Sequence, residues 1–312
     1  AFGIKFIDLP TTALASQSAG FAWLGALDAP ISGAIRGRFD QNGTLESIIA
    51  TLDIAEGALS PSPASKPLEF SSLKTYFTYI PAQQLLSFDN VTLQSADVNF
   101  SGEGTAFVET NDLFKSSLIG QFRLNTITAN PRGFFDEAKS LDTANLEFRL
   151  LLDPFEVQLK HFYAADKARA LNVRGQAEFS IDESGWSVAL KAMLDHLNYE
   201  GLMHYWPNAF KAPQRRWVDA NVAEVMLSDI VYNLRYDAEN ALLTSLSFAF
   251  KDADFSPIKD FPSVQGGSGI FSSFNRRLAI SLQGGTINTP KLGAMNIGGT
   301  DFMVPNTKMK PS

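Results

Sequence analysis

The sequence has no cysteine and only three histidines among its 312 residues. The lack of Cys excludes disulfides, thiol catalysis and every zinc site that needs sulfur ligands. Three His leave little for metal binding or acid–base chemistry. The glycine-rich stretch 265–269 has neither the spacing of a phosphate-binding loop nor the frame of a serine-hydrolase elbow. An ordinary catalyst is therefore not favoured, and we expect neither an enzyme nor a cofactor.

Charge is also sparse, and it is not positive. Charged residues make up 19% of the chain, and Lys+Arg 26 against Asp+Glu 33 leave a net charge of −7. Nucleic-acid binders need a clustered positive field, so no nucleic-acid partner is expected. Apolar runs of the roughly 18 residues that a spanning helix needs are missing too. The longest candidate, residues 21–35, is interrupted by Asp28 and Pro30.

Phenylalanine is what the chain has in excess, with 25 copies beside 4 Trp and 7 Tyr. Most of its aromatic groups thus carry no polar handle and suit contacts with hydrocarbon. The hydrophobic share of 45% excludes a disordered chain.

The dominant hydrophobic period is two, which predicts β-strands. Residues 146–150 and 155–160 alternate on either side of an Asp-Pro turn and predict a hairpin. The pattern recurs at 31–39, 48–54, 118–124, 171–179, 186–191, 242–250 and 278–282. Pro, Ser or Gly clusters at 60–67, 130–133 and 265–269 are predicted as loops between strands. This succession predicts a mainly β chain built as an antiparallel meander.

One segment breaks the alternation. Between His204 and Ala223 the apolar residues recur at helical spacing, and Pro213 favours a first turn, so a helix is predicted over about 212–221. It is either a helix packed on the sheet or an interfacial lid helix facing lipid. The candidate residues for the lid are Trp206, Phe210, Lys211, Arg215, Arg216 and Trp217.

The same segment carries a resemblance. Tyr205-Trp206-Pro207 followed by Arg215-Arg216-Trp217-Val218-Asp219-Ala220-Asn221-Val222 resembles the signature of the YhdP branch of the AsmA-like superfamily. The stretches 248–255, 261–269 and 27–33 are similar to further patterns of that family.

The resemblance implies an elongated, strongly curved antiparallel sheet, a groove of repeated β modules with an apolar interior. It implies a segment of a periplasmic, bridge-like lipid-transfer protein anchored in the inner membrane, which carries phospholipid toward the outer membrane. Contacts with both membranes would lie in parts absent from this chain. The expected organisation is an N-terminal set of β modules (1–130), a central meander (131–201), an amphipathic helical segment (202–224) and a C-terminal β module (225–312).

A lining for acyl chains follows from the alternation of the predicted strands. The candidate groove residues are Phe148, Leu150, Phe155, Val157, Leu159, Leu171, Val173, Phe179, Trp186, Val188, Phe248 and Phe250. The alternative is a closed sandwich or barrel filled by the same side chains, because periodicity does not separate the two.

Other functions stay in view. The chain could be an envelope scaffold that docks partner proteins through sheet edges or the helix, or, less favoured, a carbohydrate-active enzyme. A metal trio of Asp195, His196 and His204, and a carboxylate pair of Asp252 and Asp254, have little support from the sequence.

Overall fold

The computed structural model describes residues 1–17, 19–60, 67–110, 116–152, 154–182, 184–237, 242–256 and 261–306. Strands dominate this part of the chain. They are β1 Phe2–Pro10, β2 Leu27–Asp28, β3 Pro30–Phe39, β4 Leu45–Ile54, β5 Gly57–Leu59, β6 Leu68–Phe70, β7 Ser72–Ile80, β8 Leu85–Gln94, β9 Val98–Thr110, β10 Ser116–Ala129, β11 Lys139–Leu152, β12 Phe155–Asp166, β13 Leu171–Asp182, β14 Gly185–Asn198, β15 Val222–Tyr236, β16 Leu243–Phe255, β17 Val264–Phe274, β18 Arg277–Thr289, β19 Gly293–Asn296 and β20 Thr300–Val304.

Helices are short in the described residues. The α-helices are α1 Thr11–Ala15, α2 Tyr199–Tyr205 and α3 Ala212–Asn221, and 3-10 turns occupy Ala19–Ala26, Pro81–Gln83, Pro131–Gly133 and Lys167–Arg169. The helix predicted over 212–221 is confirmed as α3. The helix α2 was not predicted.

Seventeen of these strands form a single antiparallel sheet. It is a meander in which β1 pairs with β3, β3 with β4, β4 with β7, and every strand from β7 to β18 pairs with the next along the chain. Both β19 and β20 pair with β18. Strands β2, β5 and β6 form a separate small sheet. The prediction of a mainly β, antiparallel fold is confirmed.

The large sheet is open across the described strands, because its register ends at β1 on one side and at β19 and β20 on the other. The alternative of a closed barrel is therefore wrong for this part of the chain. Local turn chemistry sets the hairpins. Asp40 Oδ1 accepts hydrogen bonds from the amides of Asn42 and Thr44, and Asp182 Oδ1 accepts one from the amide of Ser184.

One predicted loop is wrong. The glycine-rich stretch 265–269 lies inside β17 rather than between strands. Its register shifts against both β16 and β18, so the strand is bulged there. Gly266 takes a positive φ of 57°, and its amide donates to Asp254 Oδ1. Glycine serves here because the bulge needs a backbone conformation that side chains disfavour.

The sheet has an apolar face and a polar face, as the period of two requires. Over strands β3 to β10 the apolar face curves around the 3-10 turn Ala19–Ala26, where Leu24 is fully buried and Phe21 nearly so. Against this turn pack Leu52, Phe77 and Leu86 in the largest buried cluster of the described residues. That end of the apolar face is thus filled by the chain itself.

Candidate functional site

The candidate site is the apolar face where it leaves this filled end and crosses β11 to β14. Cross-strand partners point to the same side of a sheet. Leu150 pairs with Val157, Val157 with Phe179, and Phe179 with Val188, so these four side chains form one row across four strands. Phe148 pairs with Leu159 in the adjacent row. The sequence-based grouping of these residues on one side therefore matches the register.

The remaining candidate groove residues lie on the same face but in different surroundings. Phe155 is buried and contacts Trp186 ring to ring at 6.3 Å. Leu171 is buried in a second cluster, together with α2. Val173 packs against a third cluster around Ile127, Ala144 and Ala164. Phe248 and Phe250 belong to the surroundings of the α2 cluster, and Phe248 also stacks on Phe271 at 4.6 Å.

A ladder of aromatic rings connects the filled end to the candidate site. Phe77, Phe88, Phe122 and Phe148 follow one another with centroid distances of 5.4, 5.3 and 5.7 Å. Trp23, from the 3-10 turn, contacts the first two of these rings. Burial decreases along the ladder, from the fully buried Phe77 to the half-buried Phe122 and Phe148. The apolar surface therefore continues along the ladder, whereas the 3-10 turn that covers it at the filled end does not extend that far.

Gly104 makes the ladder possible. It lies on β9 between Phe88 and Phe122, and it is the register partner of both. A Cβ at this position would lie 2.3 Å from the carbonyl oxygen of Gln121 and 2.8 Å from Phe122 Cγ. The missing side chain lets rings on β8 and β10 touch across the strand that separates them.

The middle of the apolar face is open. Val157, Leu159, Phe179, Trp186 and Val188 are half-buried, and none of them belongs to the three buried clusters of the described residues. Their neighbours on the face are other strands of the same sheet. An apolar ligand could therefore lie on them without displacing a packed element.

The helical insert, defined as residues 199–221, covers the apolar face beyond this open stretch. Leu202 and Tyr205 of α2 pack on the cluster formed by Leu171, Leu197 and Leu227. Asn198 caps α2 by accepting a hydrogen bond from the amide of Gly201. Within the insert, α2 is thus packed on the sheet, whereas α3, the helix to which the two interpretations refer, has no buried residue.

Tyr205 fastens α2 to the sheet. Its hydroxyl donates to Asp166 Oδ2 at 2.5 Å, and Asp166 also accepts from Arg169 Nη1 and the amide of Ala168. Burial alone would raise the pKa of Asp166, but these three hydrogen bonds outweigh it and lower the pKa. Burial is the larger cause and the hydrogen bond to Asp166 the smaller one, and together they raise the pKa of Tyr205 well above its usual range. Asp166 is thus an ionised anchor for α2.

The lid candidates have separate positions. Arg215 Nε donates to the carbonyl of Trp206 and Arg215 Nη2 to that of Met203, so Arg215 holds the C-terminal end of α2. Trp206 Nε1 donates to the carbonyl of Phe210. Lys211 Nζ donates a hydrogen bond to the buried Thr244 Oγ1. Burial lowers the pKa of the Lys211 ammonium group. These contacts position the turn between α2 and α3.

Only part of the lid set is available to an external partner. Arg216 is exposed, and Trp217 keeps 44% of its surface accessible. Trp217 is one of the apolar residues at helical spacing in this segment, yet it is exposed to solvent. An exposed indole on a short helix is the feature that an interfacial or docking role would use.

Several residues of the apolar face were missed by sequence reasoning. Phe162 is the clearest, because a bulge between Leu159 and Phe162 breaks the alternation that identifies Phe155, Val157 and Leu159. Ala177 and Leu190 continue the row of Phe148 and Leu159 across β13 and β14. The alternation could have identified these two, but they were not named as lining.

The weakly supported trio of Asp195, His196 and His204 is not brought together as a metal site in the described residues. No group of three His, Asp or Glu side chains there could hold a metal ion. Asp195, named in the weakly supported trio, accepts a hydrogen bond from Arg174 at 2.6 Å. Within the same residues, no helix is long and apolar enough to cross a membrane.

Comparison of the chain with protein families, with curated proteins and with solved structures finds no match in any of the three. Function must therefore be argued from the site.

Proposed function

We propose that this chain is a lipid-transfer segment of the AsmA-like, YhdP type, located in the periplasm as part of a protein anchored in the inner membrane. Its apolar face binds phospholipid acyl chains and conducts them toward the outer membrane. The observation that carries the proposal is the row Leu150, Val157, Phe179 and Val188, which crosses four strands and lies half-buried beside a continuous apolar surface.

The physical basis is hydrophobic shelter. Each methylene group removed from water contributes about 0.8 kcal/mol. Since the attraction is non-directional, an acyl chain can slide along the row without one deep minimum. The polar headgroup can stay in solvent because the sheet is open.

Binding can be tested with paired charge substitutions on one strand. Val188→Asp places a carboxylate on the apolar face, and Ala189→Asp places the same group on the exposed opposite face one residue away. Each protein is purified from bacteria, its phospholipid is quantified after extraction, and its transfer of fluorescent phosphatidylethanolamine between vesicles is measured. We expect Val188→Asp to lose at least fivefold in both assays and Ala189→Asp to match the wild type.

The proposal fails if the wild type carries and transfers no phospholipid, or if Val188→Asp performs as Ala189→Asp does. Circular dichroism on all three proteins separates loss of binding from loss of fold.

A scaffold is the second candidate function, and exposed features favour it. The edge strand β1 presents Phe2, Ile4 and Ile7 to solvent, and α3 presents Trp217. Free strand edges and exposed aromatic groups are typical of protein docking. A lipid-free protein whose capture of an envelope partner depends on Trp217, in a Trp217→Ala variant, would favour this function over conduction.

A further inference from the structure

The polar face of the sheet carries a concave site, which we name the polar trough. It has a volume of about 670 Å³ and crosses β9 to β14. Its walls are two rows of side chains: Glu103, Arg123, Asn145, Tyr163, Arg174 and Met193 in one, and Thr105, Gln121, Glu147, His161, Gln176 and Lys191 in the other.

The trough lies on the face opposite the candidate lipid row. Lys191 and Met193 line it, whereas Ala192 between them does not. Ala192 pairs with Gly175 on the apolar face, so its neighbours along β14 point to the other side. The two sites thus share strands, and the apolar-face row Gly104, Phe122, Leu146, Phe162 and Gly175 forms the floor between the two polar rows of the trough.

One bulge lies beside the trough, with its extra residue in β12. The register of β12 shifts there against β11, between Glu147 and Phe148, and against β13, between Leu159 and Phe162. Bulges bend a strand and re-aim its side chains, and they recur beside functional sites. His161 lies in this bulge and joins the row of Glu147 rather than pointing to the apolar face.

The charges in the trough nearly cancel. Arg123, Arg174 and Lys191 face Glu103 and Glu147, and Arg174 is further paired with Asp195 at 2.6 Å. A phosphate, sulfate or nucleic-acid ligand would require a field of one sign. The balance instead favours an uncharged ligand.

The remaining groups recognise hydroxyls. The side-chain amides of Gln121, Asn145 and Gln176 each offer both donors and acceptors, and so does the hydroxyl of Thr105. A hydroxyl group is also both a donor and an acceptor, so the hydroxyls of a ligand can each form hydrogen bonds with these amide and hydroxyl side chains. The ring of Tyr163 and the thioether of Met193 offer apolar surface to C–H groups.

The geometry points to a binding site for a linear, uncharged oligosaccharide in the polar trough. Six strands at the usual spacing give a length of about 24 Å, which suits an extended chain of several sugar rings lying across the strands. The exposed amides Asn145 and Gln176 are the principal hydrogen-bonding residues. This site is independent of the lipid function proposed above.

Binding is measured by calorimetry with three neutral hexasaccharides, namely cellohexaose, maltohexaose and chitohexaose, and with a heparin-derived hexasaccharide as the anionic comparison. We expect at least one neutral probe to bind and the double variant Asn145→Ala/Gln176→Ala to weaken it at least tenfold. Gln283→Ala removes an exposed amide on β18, outside the trough, and should leave the affinity unchanged.

The inference is overturned if no neutral hexasaccharide binds, if only the heparin-derived probe binds, or if the double variant binds as the wild type does. Equal thermal midpoints for the three proteins exclude a folding defect, since all three positions are exposed.

Discussion

Gly104 shows how one residue without a side chain controls a surface. The rings of Phe88 and Phe122 meet over it, and they link the filled end of the apolar face to its open stretch. From the sequence alone, a glycine in an alternating strand predicts either a bulge or the close approach of another group, but it does not identify that group. To predict a contact between residues on non-adjacent strands, one must know how the strands pair, and alternation does not give the pairing.

We predict that Gly104→Ala destabilises the protein by about 1–3 kcal/mol, because its Cβ would clash with the backbone carbonyl of Gln121. Chemical denaturation measures the change in the free energy of unfolding. Gly3→Ala is the matched control, since the nearest atom to its Cβ lies 3.9 Å away, and a change below about 0.5 kcal/mol is expected there. Equal effects at both positions would contradict the steric explanation.

At the scale of elements, the sequence predicted what depends on local pattern. The hairpin of β11 and β12 and the helix α3 follow from alternation, the Asp-Pro turn and Pro213. The helix α2 was missed although Asn198 offered a capping signal. The turn Ala19–Ala26 was missed because an unbroken apolar run has no period.

The site divides in the same way. Membership of one face follows from a period of two, so residues such as Val157 and Val188 could be identified. Which part of that face stays open could not, because it depends on where residues 19–26 and 199–221 pack on the sheet. The position of a covering element is a matter of tertiary packing, and the alternation within a strand does not encode it.

The docking of α2 should depend on pH through His204. Burial, together with the positive charges of Lys139 and Arg169, lowers the pKa of His204 below its ordinary value of 6.5, against the opposing effect of Asp166 and Glu137. A proton therefore binds more readily when α2 is released than when it is docked. Docking is at full strength above about pH 6.5 and weakens as the pH falls through the depressed pKa.

Hydrogen exchange in α2 at pH 7 and pH 5, corrected for the intrinsic rate, measures this effect. We expect protection to fall at pH 5 in the wild type and to change less in His204→Gln. The pKa of Asp166 is lowered, so its anchor remains ionised at both values. Equal pH dependence in the two proteins would show that another group is responsible.

At the scale of the whole molecule, the meander makes stability local. Each strand pairs with neighbours in the sequence, so opening at an edge need not disturb the middle. Strands β3, β4 and β7 to β9 pack around the 3-10 turn and carry the largest fully buried side chains of the sheet, whereas Ile4 at one edge and Phe302 at the other are more than half exposed.

We therefore predict graded hydrogen exchange, with amides of β1, β19 and β20 exchanging at least a hundredfold faster than those of β7 to β9. Mass spectrometry of the intact protein after timed labelling and digestion resolves these segments. Uniform protection over all strands would instead indicate a single cooperative unit.

The two edges of the meander also determine how the sheet responds to tension. The hydrogen bonds between antiparallel strands run perpendicular to them. A force applied between residues 2 and 304, which lie on opposite edge strands, pulls along those bonds and loads the strand pairs one after another. The sheet should then unzip at low force in many small steps, whereas pulling both ends of one central strand would shear a whole row of bonds at once.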